Sequence, residues 1–242
     1  YRGPVAARTY GYIGLAAYEA ALPGLAGDFQ SFSNRFQGLI IPDAPPADRF
    51  NHAIAMNACY ATLIGKFFRS APETIRRQLV ALKEKWEQEL ASGTDTSVIR
   101  ISSTFGIDVA NSVFAWSATD SIGHMANHHN YDRNYIPPVG DGKWVTSADF
   151  PMPPLLPTWG EVRPFVIRKE NYLAKPLPPY SVETNQTYYV QALEIISLGS
   201  PLSTENQLIG EFWSDDHPGL MFTPPGHWLA ITNQVIEKEH PS

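Results

Sequence analysis

A chain of 242 residues with 43% apolar and 17% charged side chains has enough hydrophobic material for one large core or two smaller ones, which excludes wholesale disorder. Its net charge of −6 comes with no basic cluster, so it offers no electrostatic footprint for a nucleic acid. No uninterrupted apolar run approaches the roughly 20 residues that a membrane-spanning helix needs, so no transmembrane segment is expected.

The elements follow one another as helices. Pro4 to Leu22 is an Ala- and Gly-rich helical stretch closed by Pro23-Gly24, and its small residues let another helix approach closely. Ala47 to Phe68 predicts a second helix, apolar nearly all round through Ile54, Ala58, Leu63 and Ile64, as a central, fully buried helix would be. Within it Cys59 is expected to be a small buried hydrophobe, with no internal disulfide partner. Ser70-Ala71-Pro72-Glu73 has capping-box spacing and opens a third helix. That helix places Ile75, Leu79, Leu82, Trp86 and Leu90 on one stripe and turns Arg76, Arg77, Lys83, Glu84 and Glu87 to water. Ser92-Gly93 stops it, and Thr94-Asp95 offers the cap of a fourth, whose core stripe runs Val98, Ile101, Phe105, Val109, Val113, Trp116.

From about Asn130 to Tyr180 the periodicity is lost and prolines crowd in, which excludes a helix. The large apolar groups kept there, Trp144, Phe150, Leu155, Leu156, Trp159 and Phe165, predict an ordered wrap rather than a slack linker. Helical patterning resumes at about Glu183 to Leu198, restarts from Ser203-Thr204 through Trp213, and ends in a segment from His227 to about Glu239. No strand-type alternation persists, so the expected fold is all-α. It comprises about seven helices in a bundle: first helices over 1–129, a proline-rich wrap over 130–181, and further helices over 182–242.

Several stretches read together carry a resemblance: PVAARTYGYIGLAAYEA (4–20), FGIDVANSVFAWSATD (105–120), LPTWGEVRPFVI (156–167), and TENQLIGEFWSDD followed by TPPGHWLAI (204–216 and 223–231). In this order they resemble the N-terminal helical half of the bacterial vanadium-dependent haloperoxidases of the phosphatidic acid phosphatase superfamily. The resemblance implies a helical bundle whose vanadate or phosphate site is built by residues lying after the matched segments: a Lys, six residues and Arg-Pro; a Pro-Ser-Gly-His; and a Ser-Arg followed by a Gly and a His. Such a site needs cations to neutralise a multiply charged oxyanion, hydroxyl and amide donors for its oxygens, and a histidine to ligate the metal or attack phosphorus.

Neither local match completes that set. Counting back seven places from Arg163-Pro164 lands on Leu156 rather than a lysine, and in Pro224-Pro225-Gly226-His227 the second proline stands where a hydroxyl is needed. His227 is therefore expected in the first turn of a helix opened by proline and glycine. No Ser-Arg dipeptide occurs.

Continuing the fourth stripe by fours reaches Asp120, His124 and His128, a spacing that admits a metal. Yet Gly123 weakens the helix and no fourth ligand is evident, so a polar, hydrogen-bonded or solvent-facing helix terminus is the expectation. Asp215, Asp216 and His217 are expected to form a solvated turn.

No catalytic, cofactor-binding or metal residue is thus assigned within this chain; vanadate is implied for the intact family alone. The resemblance predicts a scaffold half, inactive by itself, completed by a C-terminal half of the same polypeptide, prone to pair with itself through an uncovered face, and exported to the periplasm or beyond. A phosphatase of the same superfamily and a non-enzymatic helical binding module stand as alternatives, the second resting on Trp144 and Trp159 among the prolines.

Overall fold

A computed structural model describes residues 3–25, 29–149, 151–167, 171, 175–199, 201–214 and 223–239. The fold is all-α. Among the described residues seven α-helices occur, α1 Gly3–Ala21, α2 His52–Phe67, α3 Glu73–Ala91, α4 Thr96–Ser117, α5 Thr187–Leu198, α6 Thr204–Trp213 and α7 Pro224–Glu239, with no strand beyond an isolated bridge between Tyr131 and Leu155. The chain forms two compact units, Tyr1–Asn127 and His128–Ser242.

In the first unit α2 is central, packing on α4, α1 and α3, but it is not fully buried as its pattern predicts: Ile64 is half-buried and Tyr60 and Gly65 are exposed. The α2–α4 crossing is close because it is made from small residues. Ala55, Ala58 and Cys59 on α2 and Ala110 on α4 are buried, and Gly106 on α4 lies against the Ala55 backbone, where any side chain would collide with the carbonyl. The fourth stripe is borne out at Phe105, Val109, Val113 and Trp116, which are buried, while Val98 and Ile101 are half-buried. Burial pushes the Cys59 thiol up to about 12, so it packs as an inert apolar group.

An aromatic cluster closes one end of this core. Tyr12 stacks on Phe67 at 5.7 Å and meets Trp116 edge-on at 5.8 Å, and Trp116 stacks on Phe36 at 5.3 Å. The loop before α2 is tied to the cluster by its backbone. Trp116 Nε1 donates to Gln37 O at 3.1 Å, and Phe32 N donates to the buried Glu19 Oε1 at 2.6 Å.

Local chemistry moves three helix ends from their expected places. The second helix begins at His52, because Ala47–Arg49 after Pro45-Pro46 is a separate 3₁₀ turn and Asn51, extended at φ −123°, caps α2 by accepting from Ile54 N at 3.2 Å. The capping box at Ser70 does not form. Pro72 is the cap residue of α3 and makes no side-chain cap bond, since a proline forces the residue before it out of the helical region. Glu73 is instead taken by Arg77 through bonds of 3.0 and 2.7 Å. The last helix starts at Pro224, three residues before His227.

The orientation of α3 also departs from expectation. None of its residues is fully buried. Lys83 and Glu87, expected in water, are half-buried and paired at 2.6 Å, and Lys83 O accepts from Asn57 Nδ2 of α2 at 3.1 Å. Ile75, Leu82 and Trp86, expected in the core, are exposed. Leu79 and Leu90 of the same stripe are half-buried, so α2 covers the stripe only in part.

In the second unit the proline-rich stretch is irregular as expected, apart from a 3₁₀ turn at Trp159–Glu161. Leu156, Trp159 and Phe165 are half-buried, Trp144 and Leu155 are exposed, and Phe150 lies outside the described residues. Helices α5, α6 and α7 bury no described residue.

Candidate functional site

The predicted Asp120, His124 and His128 stripe does not form one helical face, because α4 ends at Ser117. Ser117 Oγ bonds Phe114 O at 2.7 Å and Thr119 Oγ1 bonds Trp116 O at 2.8 Å, so hydroxyls compete for the last carbonyls and the chain turns. The three residues then go to different places.

Asp120 turns inward, 7% exposed, and pairs with the equally buried Arg8 of α1. Arg8 Nη2 also donates to Tyr12 OH at 2.8 Å, and Asp120 Oδ1 accepts from Gly123 N at 3.1 Å. Gly123 is required here, since a Cβ at that position would overlap the Arg8 guanidinium and the Asp120 carboxylate. The result is a buried clasp that joins α1 to the turn after α4, with both charges neutralised inside the unit.

His124 lies between Phe67 and Phe114, and its Nδ1 is 2.7 Å from Ser117 Oγ. Ser117 Oγ lies 2.7 Å from Phe114 O and 2.7 Å from His124 Nδ1, and the imidazole tautomer sets which group donates in the second contact. Ser117 is fully buried, which is not where a nucleophile meets a substrate. His128 ends a 3₁₀ turn and faces solvent. Among the described residues no cluster of three or more His, Cys, Asp or Glu could hold a metal ion, and Asp215, Asp216 and His217 lie outside them.

The two local motif matches both lie in the second unit. Leu156, where an anion site would need its ammonium, is held at φ 51° with its N–H donating to Asn130 O at 2.8 Å, and Arg163 is half-buried in the coil after the 3₁₀ turn. His227 sits in the first turn of α7, its N–H bonded to Thr223 O at 2.9 Å, in keeping with the Pro-Pro-Gly start. These residues do not fit vanadate: a hydroxyl, a lysine and a second arginine are missing from the set. No chemistry through that group is derived for this chain.

Sequence reasoning missed one feature of the first unit. Because α2 covers the α3 stripe only in part, a groove of about 780 Å³ opens among α1, α2 and α3. Its floor is Ile13, Ala61, Ile64 and Gly65, and its α3 wall is Ile75, Leu79 and Leu82. Tyr60 lines it with a phenol pushed above its ordinary range by burial, then by the neighbouring Cys59, so the ring presents a neutral hydroxyl. The charged residues lining it are Arg76 and Lys83, with no carboxylate among them. The signal in the sequence was the misfit between a strong apolar stripe and a Lys83–Glu87 pair on the same side of α3.

Comparison of the chain with protein-family profiles, with curated proteins and with solved structures finds no match.

Proposed function

We propose that this chain is the helical scaffold of a vanadium-dependent haloperoxidase-like enzyme, in which the oxyanion site is supplied by a complementary C-terminal half. In the intact family the implied reaction is peroxide-dependent oxidation of halide at vanadate, and a relative using the same pocket would hydrolyse phosphate esters. The four stretches in family order support this reading. The observation that carries it is the bare apolar surface of α5–α7, where Ile195, Ile196, Phe212, Trp213 and Trp228 are 73%, 69%, 71%, 68% and 63% exposed. Helices of 12, 10 and 16 residues are marginal in water unless an apolar face is packed, so these three require a cover.

A different observation favours the non-enzymatic module: Pro137-Pro138 is flanked by Ile136 and Val139, exposed at 86% and 96%, as a proline-rich recognition segment would be. One experiment separates the two. The DNA 3′ of the Ser242 codon is sequenced, the encoded polypeptide is co-expressed with this chain, and vanadate-dependent bromide oxidation is assayed. The scaffold reading expects the Lys, Arg-Pro, Pro-Ser-Gly-His and Ser-Arg motifs downstream, and activity in the complex that neither part has alone. A downstream sequence without those motifs sinks it and leaves the binding module.

A further inference from the structure

We propose that the groove among α1, α2 and α3 is a binding site for an amphipathic anion, an unbranched acyl chain ending in a carboxylate. This assignment stands apart from the scaffold proposal, because it uses residues of α1–α3 alone.

Shape argues for a chain-like ligand. From Tyr60 to Phe68 the α2 side of the groove spans eight helical rises, ~12 Å. An extended acyl chain fits, and at ~1.2 Å per bond ~12 Å holds about ten carbons. The volume lies within the range of small-molecule pockets, as does the pattern of apolar walls with a few polar groups.

Charge decides the head group. Both charged lining residues are cations, and they are not equally engaged. Lys83 Nζ already holds Glu87 at 2.6 Å. Arg76 touches Glu73 through Nη2 at 3.4 Å, while Arg77 takes the same carboxylate through shorter bonds. A planar guanidinium with donors to spare is the geometry that receives a carboxylate. Arg76 therefore takes the head, and the chain runs along Ile64, Gly65 and Leu79 toward the Lys83 end.

The test titrates the whole chain by calorimetry with octanoate, decanoate, dodecanoate and tetradecanoate below their micellar concentrations, beside decanol and dodecyltrimethylammonium. The expected result is one saturable site whose affinity rises roughly two- to fourfold per methylene and levels off near ten to twelve carbons, with the cationic amphiphile binding more weakly. Arg76→Gln should weaken the carboxylates by up to ~5-fold and leave decanol unchanged, because an exposed pair contributes little. Gly65→Trp fills the groove, and its Cβ meets nothing within 4 Å, so the variant should fold normally and lose at least tenfold in affinity. Leu82→Asp, on an exposed α3 position, does the same by charge should the tryptophan disturb folding. Three results overturn the proposal: no saturable binding, equal affinity in wild type and both blocking variants, or the cationic amphiphile binding as tightly as the carboxylate.

Discussion

Removing the Asp120 carboxylate should unfold much of the first unit's margin of stability. The side chains of Arg8 and Asp120 are 7% and 5% exposed, so Asp120→Ala removes the carboxylate paired with a buried guanidinium and the acceptor of the Gly123 N–H. Orphaning one partner of a buried pair costs about 3–5 kcal/mol, and a stranded backbone donor adds ~1 kcal/mol or more. Set against the ~5–15 kcal/mol that holds a domain together, this is a third of the total or all of it. At a denaturant slope of ~2 kcal/mol per molar urea the midpoint should fall by roughly 2 M. The companion variant Arg8→Leu/Asp120→Leu removes both charges and should recover most of the loss, because apolar replacement of a whole buried pair is close to neutral. Urea titrations of the four proteins in the cycle, followed by near-UV circular dichroism of the aromatic cluster, give the coupling directly. A shift below ~0.5 kcal/mol for Asp120→Ala, or a double variant as unstable as the two singles added, would refute the clasp.

Gly106→Ala should lower the thermal midpoint by several degrees, at a cost of about 3 kcal/mol, because the new methyl meets the Ala55 carbonyl and α2 must move off α4; an unchanged melt would show that the helices are not in close contact. Cys59 should resist alkylation in the native state and react fully in urea. Its folded pKa is raised, so its effect on stability is nil below about 9, where folded and unfolded thiols are both protonated. Between about 9 and about 12 the thiol ionises in the unfolded chain alone, so stability should fall by up to ~1.4 kcal/mol per pH unit, and Cys59→Ala should remove that component of an alkaline titration.

Helix existence and the buried face of α4 were legible because both rest on periodicity, which single residues carry. The starts of α2 and α3 were not. Asn51 looked like one more polar residue inside a helix, and nothing short of the backbone angle marks it as the cap. Pro72 cancelled a box whose spacing was otherwise right. The clasp was half legible: the sequence marked Asp120 and His124 as a polar helix end, but Arg8 lies 112 positions from Asp120, and its charge sat unnoticed in a small-residue helix. The groove was hidden for a different reason. Amphipathicity says which face of α3 is apolar, and it is silent on whether a neighbour covers that face.

The setting of Trp116 has a consequence for how the protein can be watched. Of six tryptophans, Trp116 is 4% exposed, wedged between Tyr12 and Phe36 with its indole N–H tied to Gln37, whereas Trp86, Trp144, Trp213 and Trp228 are at least 43% exposed. Total emission should therefore be dominated by wet, red-shifted indoles that change little when the first unit melts. Iodide will quench those first; Trp159 is half-buried, so the share of the residual blue signal that is lost in Trp116→Phe is an optical gauge of whether the loop after α1 still sits on the end of α4.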